Sequence, residues 1–159
     1  MSSFKIRSAV QKDLNCIIKL ILEFAEFEKL SGVFTITEND LREAIFGESK
    51  FVNCLVAEGE NKLVGYALFF PVFKSFRGER SMFLEDLYIS PEIRGRGLGL
   101  RMLREAARTA KEQNCVRMDW QALRWNRDAI EFYKNLGAEA DDENFDFHLR
   151  GEAFDKLAS

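Results

Sequence analysis

Two neighbouring carboxylates, Glu85 and Asp86, interrupt an apolar segment that is otherwise typical of a buried β-strand. A carboxylate held against apolar surroundings can accept a proton from a substrate, so the pair is a candidate for acid–base chemistry. Because successive side chains of a strand point to opposite faces, only one of the two can face a given substrate. The alternative is structural: one carboxylate lies at an exposed edge and the other pairs with an arginine, since burying an unpaired charge is costly.

The segment after this strand has three glycines at alternate positions, Gly95, Gly97 and Gly99, just before a helical pattern. Glycine permits backbone conformations that aim successive N–H groups at one point, and the start of a helix adds unpaired N–H groups and a positive dipole end. A P-loop would need a Gly-Lys-Ser/Thr ending, and a dinucleotide fingerprint would need wider glycine spacing. The phosphate-binding candidate that remains is the pyrophosphate loop of a coenzyme A site, and the alternative is a surface turn with arginines for solubility.

The helical pattern after the turn has one basic face, formed by Arg101, Arg104, Arg108 and Lys111. Their spacing of three and four residues places them on one side of the helix. Solvation of a surface helix explains such a row more simply than a phosphate site does, so Arg104, Arg108 and Lys111 are interpreted as facing solvent.

Composition and charge limit the classes of function. The 159 residues, 47% hydrophobic and 31% charged, are typical of one globular domain, over 1–159. A net charge of −3 argues against nucleic acid or an anionic membrane as the main partner, and no signal segment or membrane-spanning run is evident. Three scattered cysteines and one histidine give no metal-ligand spacing, so we expect no metal site and a cytoplasmic location with reduced thiols.

Hydrophobic periodicity predicts the elements that hold these residues. A strand and two helices come first, then an antiparallel meander, and then a strand–helix–strand unit around the glycine turn, whose two strands we expect to pair in parallel. Asp13, Thr37 and Asn126 are predicted helix N-caps, and Gly47 and Gly137 predicted helix ends. Predicted strands cover 4–9, the hairpin 51–73, 80–90, 115–123 and 145–149, and predicted helices follow the three caps and cover 98–113 and 151–158.

Long stretches of the sequence resemble the GNAT N-acetyltransferase superfamily. The turn "IRGRGLG" is similar to its acetyl-CoA loop, Arg/Gln-x-x-Gly-x-Gly/Ala, and the whole chain resembles the spermidine/spermine (diamine) acetyltransferase group, particularly its thialysine acetyltransferase branch. The resemblance implies an α/β (mixed α+β) fold with helices on both faces of a mixed, mostly antiparallel seven-stranded sheet. This sheet would be splayed between its fourth and fifth strands to hold acetyl-CoA, in a homodimer. The similar stretches are EFAEFEKLS (23–31), NCLVAE (53–58), FLEDLYISPEIRGRGLG (83–99), WNRDAIEFYKNLGA (125–138) and GEAFDKLA (151–158).

The resemblance also implies roles for individual residues, position by position. The backbone of Leu87, Tyr88 and Ile89 would hold the pantetheine arm of the coenzyme and polarise the thioester carbonyl. The pyrophosphate would lie on Gly95, Arg96, Gly97, Leu98, Gly99 and Leu100, and the far side of the coenzyme on Asn126, Arg127, Asp128 and Ala129. The amine pocket would be shaped by Phe27, Glu28, Glu85, Asp86, Asp119, Trp120 and Gln121.

The acid pair has a chemical purpose in such an enzyme. A primary alkyl amine has a pKa of about 10.4, so at pH 7 about one molecule in 2,500 is neutral and nucleophilic. The protonation adds roughly 4–5 kcal/mol to the barrier unless the site removes the proton. By resemblance, Glu85 is the catalytic carboxylate that faces the amine, and Asp86 supports it.

Tyr133 is the predicted partner of the departing thiolate. Ala129, Phe132, Tyr133 and Leu136 form a helical stripe, and an aromatic residue in such a stripe is more often part of a core. Its position in the resemblance makes it catalytic instead. A thiol of pKa about 8.5 is a stronger acid than a phenol of about 10, so a hydrogen bond to the thiolate is expected more than full proton transfer. We expect direct transfer in a ternary complex.

The substrate is an amine whose identity the sequence narrows but does not fix. Arg124 stands where the polyamine acetyltransferases have an acid, and an arginine can bind the carboxylate of a lysine-like amino acid. The segment "EFEKLS" resembles the thialysine branch more than the polyamine one, so thialysine or a related amino acid is the leading hypothesis. Glu143, in the loop 139–147, is the nearest candidate for a pocket acid. Polyamine acetylation, acetylation of protein tails and a non-catalytic acetyl-CoA-binding role are the alternatives.

Overall fold

A five-stranded mixed sheet organises the first part of the chain. The computed structural model describes residues 3–159, which fall into two compact units, one ending at Gln121 and the other covering 122–159. A single domain over 1–159 therefore stays a prediction. The sheet has the order β1-β2-β3-β4-β5, antiparallel from β1 to β4 and parallel between β4 and β5. Its strands are β1 (Lys5–Ser8), β2 (Asn53–Gly59), β3 (Lys62–Lys74), β4 (Glu79–Ile89) and β5 (Arg117–Trp120).

The predicted hairpin between β2 and β3 is confirmed. Gly59 pairs directly with Lys62, so Glu60 and Asn61 form a two-residue turn, and both have positive φ angles of +48° and +65°. A two-residue turn with positive φ at both positions matches the right-handed twist of the strands it joins. The turn therefore sets the register in which β2 and β3 begin to pair.

Three helices belong to this unit: α1 (Leu14–Phe27), α2 (Glu38–Phe46) and α3 (Leu98–Glu112). The predicted cap Thr37 is confirmed, because its hydroxyl accepts from the N–H of Asp40 at 3.1 Å and its own N–H donates to the Asp40 carboxylate at 2.8 Å. This reciprocal pair satisfies two N–H groups at the start of α2. Helix α3 lies between β4 and β5 in the chain, which confirms the predicted strand–helix–strand unit.

Asp13 precedes α1 as predicted, but its carboxylate does not cap that helix. It accepts hydrogen bonds from the Arg7 guanidinium at 2.7 and 3.1 Å and from the N–H of Val10 at 2.8 Å. The reason is that Asp13 ends a short 3₁₀ turn over 11–13, so its side chain points back toward β1. The buried Asp13 is thus held by an ion pair that the helical pattern does not reveal.

The core lies on both faces of the sheet. On one face, Ile17 of α1 and Leu41 of α2 pack with Tyr66, Leu68 and Tyr88. The neighbouring strand positions point the other way. There α3 buries its apolar stripe, and a Cβ placed on Gly99, in its first turn, would lie 4.0 Å from Ile89 Cγ1. The buried residues of α3 are Leu98, Met102, Leu103, Ala106 and Ala110.

The second unit contains α4 (Arg127–Asn135) and α5 (Glu152–Ala158). Asn126 caps α4 as predicted, since its side-chain oxygen accepts from the N–H of Ala129 at 3.3 Å, and Gly137 follows the helix with φ +89°. None of the helices among residues 3–159 is long and apolar enough to cross a membrane.

The predicted strand over 145–149 is wrong. These residues have no strand partner in the described chain, and the sheet has five strands where seven were expected. The pattern misled because Phe145 and Phe147 alternate with polar residues, which is typical of a strand. Yet both rings are exposed, and the segment from 139 to 146 is rich in Asp, Glu and Asn, which disfavour strands.

Candidate active site

The sheet opens along one edge of β4. Parallel pairing between β4 and β5 runs from Ser81 opposite Arg117 to Leu84 opposite Trp120, and it ends there. β4 continues for five more residues, 85–89, while its other side stays paired to β3 as far as Ile89. Backbone groups on an unpaired edge are available to another extended chain. The edge from 85 to 89 can therefore hydrogen-bond a ligand that lies along it.

A β-bulge lies at the point where this edge begins. Asp86 is opposite Leu68 and Leu84 is opposite Phe69, so Glu85 is an extra residue in β4. A bulge twists a strand locally and redirects its side chains. As a result, Glu85 is exposed, whereas the Asp86 side chain is half-buried on the face covered by α1. The acid pair thus has one solvent-facing member and one interior member.

Asp86 lies in an environment that favours its neutral form. Burial raises the pKa of this carboxyl to about 6, and the charges of Glu85 and Glu28 add to the effect, while the hydrogen bond from Tyr66 opposes it. The Tyr66 hydroxyl donates to Asp86 Oδ2 at 2.8 Å. A carboxyl with a pKa near the working pH can both accept and release a proton. This is the property required of an acid–base residue.

Arg94 joins the end of β4 to the end of α1. Its Nε donates to the carbonyl of Ile89 at 2.9 Å, and its guanidinium carbon lies 4.4 Å from the centre of the Phe27 ring and 5.5 Å from that of Tyr88. Stacking of a guanidinium on aromatic rings is attractive as well as space-filling. Glu28 comes directly after α1, and burial raises the pKa of its carboxyl. Phe27 and Glu28, predicted for the amine pocket, are therefore tied to the strand that carries the acid pair.

The glycine turn presents its backbone at an open surface. Gly95 and Gly97 have φ angles of +78° and +72°, in the left-handed region that favours glycine, and a Cβ at either position would meet nothing within 4 Å. α3 starts at Leu98 with no acidic residue in its first turn. Its first N–H groups have no partner within the helix, so they and the helix dipole favour an anion.

The free strand edge and the turn together suit one elongated ligand. Both belong to the same unit, and only residues 90–94 separate them along the chain. Extended amide groups can lie along 85–89, and a phosphate can lie on the turn. The model of the acetyltransferase (GNAT) family matches residues 19–138. The chain belongs to the GNAT acetyltransferase family. It is thus an N-acetyltransferase of a family that uses acetyl-CoA.

Individual relatives agree with this assignment over the full chain. A thialysine N-epsilon-acetyltransferase of Mus musculus is 38% identical over 169 aligned positions, which cover 99% of each sequence. A thialysine N-epsilon-acetyltransferase of Caenorhabditis elegans is 30% identical over 161 positions, again covering 99% of each. Among solved structures, an integron cassette protein from the mobile metagenome of V. cholerae is 27% identical and has a TM-score of 0.80, with 98% of both chains covered. The predicted family and branch resemblance are confirmed.

Asp119, predicted for the amine pocket of this GNAT enzyme, is already engaged. The Ser81 hydroxyl donates to its carboxylate, Arg117 pairs with it and the Lys74 ammonium lies 3.6 Å away. Burial disfavours its charge, but the hydrogen bonds from Arg117 and Ser81 outweigh burial and hold the pKa of Asp119 below its ordinary value. Asp119, beside Trp120, thus stays ionised, and the cationic groups of Arg117 and Lys74 compensate its charge. In Asp86, by contrast, burial favours the neutral form.

Gln121, also predicted for the amine pocket, is exposed at the end of the first unit, and the remaining predicted residues of the site lie in the second. Asn126 caps α4, and Arg127 and Asp128 are exposed in its first turn. The Tyr133 ring packs beside the Phe132 ring, with 5.3 Å between their centres. The exposed residues Arg124 and Glu143 come before and after α4, and the N–H of Glu143 donates to Asp141 at 2.9 Å.

Two residues of the site were missed by sequence reasoning. Tyr66 belongs to β3, and only the register past the bulge shows that its hydroxyl reaches Asp86. Arg94 opens the glycine motif, which could have indicated a role in shaping the turn, but its contact with Phe27 is not evident in the sequence. Within residues 3–159, no group of three or more His, Cys, Asp and Glu side chains is placed to hold a metal ion.

Proposed function

We propose that this enzyme transfers the acetyl group of acetyl-CoA to the side-chain primary amine of thialysine or a related lysine-like amino acid. The observation that carries the proposal is the 38% identity to a thialysine acetyltransferase with 99% of both sequences aligned. Identity over the full length includes both the coenzyme-binding elements and the segments around the amine pocket. The two proteins thus share the same elements over their whole length, and we infer from this that they share a substrate class.

The first unit has the features that acetyl-CoA requires. The unpaired edge formed by Leu87, Tyr88 and Ile89 can hydrogen-bond the amide groups of the pantetheine arm, and the backbone from Gly95 to Leu100 can bind the pyrophosphate. When bound, acetyl-CoA supplies the acetyl thioester. We also assign Asn126 to Ala129, at the start of α4, to coenzyme binding, as the resemblance implies. The exposed glycine turn and the absence of acidic residues in the first turn of α3 support the pyrophosphate site.

The acid pair is proposed to remove the proton of the ammonium group. Glu85 is exposed at the bulge, where its charge attracts the substrate cation and can receive a proton directly or through water. Asp86 supports it from the interior side. Because the split in the sheet begins at Glu85, an amine beside this carboxylate lies next to the strand edge proposed to hold the thioester. Direct attack then needs no covalent enzyme intermediate.

Tyr133 is proposed to stabilise the departing thiolate with a hydrogen bond. A phenol is a weaker acid than a thiol by about 1.5 pKa units, so full transfer of its proton would be uphill by about 2 kcal/mol. A hydrogen bond provides stabilisation without that transfer. Tyr133→Phe should therefore bind acetyl-CoA like the unchanged enzyme and lose most turnover, and unchanged turnover would remove Tyr133 from the mechanism.

A panel of free amines tests the substrate assignment. The full chain is assayed with acetyl-CoA and thialysine, lysine, ornithine, putrescine or spermidine, with release of coenzyme thiol as the readout. We expect the highest kcat/KM for thialysine, and a loss of this preference in Arg124→Glu if Arg124 binds the substrate carboxylate. A preference for spermidine would instead support the polyamine alternative, which the acidic segment 139–146 favours. Acetyl-CoA binding without turnover of any amine would indicate a non-catalytic role, and light scattering would test the predicted homodimer.

A further inference from the structure

We infer that Tyr66 is a positioning residue of the active site, whose buried hydroxyl holds the Asp86 carboxylate in its place and in its charged form beside Glu85. The inference rests on the proposed function of the acid pair and adds the group that controls it. Tyr66 itself contacts neither of the two substrates in this proposal. It acts through Asp86.

The geometry leaves the Tyr66 hydroxyl little freedom. The side chain is fully buried, in a core cluster with Val56, Leu68 and Tyr88, and its ring centre lies 6.3 Å from that of Tyr88. Burial raises the pKa of Tyr66, so its phenol stays protonated and needs an acceptor. The acceptor is Asp86 Oδ2, at 2.8 Å. The hydrogen bond therefore fixes the carboxylate that the bulge turns inward.

Among the described groups that shift the pKa of Asp86, the Tyr66 hydroxyl is the one that stabilises the charged carboxylate. Glu85 precedes it in β4 and Glu28 faces it from the end of α1, and both are acidic. Cys54 faces it from β2, but burial raises the pKa of this thiol to about 12, so it carries no charge. Tyr88, the other phenol nearby, turns its hydroxyl toward Glu23 at 3.4 Å. Without the Tyr66 hydroxyl, burial and two negative neighbours would act on Asp86 unopposed.

The consequence has a definite sign. The Asp86 carboxyl has a pKa of about 6, so it is largely ionised at pH 7.5. Tyr66→Phe removes a donor that stabilises the carboxylate, which raises this pKa further, by about 1–2 units for a hydrogen bond to a charged group. If the ionised pair is the active form, the acid limb of kcat/KM moves to higher pH by the same amount. At pH 6 the variant should lose roughly tenfold in kcat/KM, and above pH 9 it should approach the unchanged enzyme.

Two readouts on Tyr66→Phe test the inference. The first is the ¹³C NMR titration of the Asp86 carboxyl carbon, assigned from its absence in Asp86→Asn, which needs no substrate. The second is the pH profile of kcat/KM with the best amine of the panel. We expect the NMR midpoint and the kinetic midpoint to rise together. The same comparison is then made in an Asp86→Asn background, where the carboxyl is gone. There, adding Tyr66→Phe should change kcat/KM by the same factor at every pH.

A matched control separates positioning from loss of core packing. Phe69→Leu changes another fully buried residue of β3, which pairs with Leu84 and lies on the opposite face from Asp86. It should lower the melting temperature without moving either midpoint. An unchanged NMR midpoint in Tyr66→Phe would overturn the inference outright, and a moved NMR midpoint with an unchanged kinetic limb would overturn its link to the reaction. If no amine is turned over, the proposed function fails, while the NMR titration still decides whether Tyr66 controls Asp86.

Discussion

Gly97→Ala provides a quantitative test of the coenzyme turn. Gly97 has φ +72°, and an L-residue held in this left-handed region is strained by about 1–2 kcal/mol. A Cβ here would meet nothing within 4 Å, so steric overlap within the protein adds nothing to that strain. Because the exposed turn is not held by neighbouring side chains, we expect the turn of the variant to relax in the free protein. The strain then reappears when the N–H groups must be aimed at a pyrophosphate. A penalty of 1–2 kcal/mol weakens acetyl-CoA binding by about 5- to 30-fold.

Gly78→Ala is the matched control for this change. Gly78, between β3 and β4, has φ +62° and equally open surroundings, but it lies outside the proposed site. Isothermal titration calorimetry with acetyl-CoA should give a raised Kd for Gly97→Ala and an unchanged Kd for Gly78→Ala. Urea unfolding of both variants measures how much of the strain remains in the free protein. A Kd for Gly97→Ala within twofold of the unchanged enzyme, with little loss of stability, would refute the assignment of this turn to the pyrophosphate.

Two further predictions concern the scaffold. Asp13→Asn should lower the free energy of unfolding at pH 7 by roughly 2–4 kcal/mol, since it leaves the half-buried Arg7 without its buried charged partner. Because Arg7 lowers the pKa of Asp13, this stability is present above the ordinary pKa of 3.8 and is lost as pH falls below it. Urea unfolding should thus show that the variant and the unchanged protein converge in acid, and parallel curves would contradict the ion-pair account. Gly65→Ala should destabilise the sheet by about 1–3 kcal/mol, because its Cβ would lie 2.5 Å from Ile89 Cδ1 and 2.7 Å from the carbonyl oxygen of Tyr88. An unchanged melting temperature would show that β3 and β4 separate freely there.

Local chemistry explains which parts of the fold could be predicted from sequence. The turn at Glu60 and Asn61 was predictable because two apolar runs flank a short polar link. The caps Thr37 and Asn126 were predictable because their side chains bond N–H groups three residues away. In each case the determining contact lies within a few residues of the pattern that predicts it.

The contacts that could not be predicted depend on partners that the local pattern does not specify. Asp13 fits a helix cap by sequence, but Arg7 on β1 binds its carboxylate instead. The segment 145–149 alternates as a strand does, yet a strand also needs a neighbour, which no local pattern supplies. The contact between Tyr66 and Asp86 depends on a bulge that shifts the register by one residue. In each of these cases the deciding factor is a partner or a register that lies outside the local segment.

The position of the acid pair follows from the two neighbours of β4. Its pairing with β3 continues to Ile89, so the strand stays rigid where its other edge is free. Its pairing with β5 ends at Leu84, one residue before the bulge. If the bulge lay two residues earlier, the redirected side chains would fall inside the paired region, where β5 covers the edge. If it lay two residues later, it would disturb the backbone groups of Leu87 to Ile89 that are proposed to bind the coenzyme. A bulge at Glu85 therefore allows one strand to present the carboxylate pair and to keep its free edge intact. The two carboxylates that interrupt the apolar run in the sequence lie where the sheet opens.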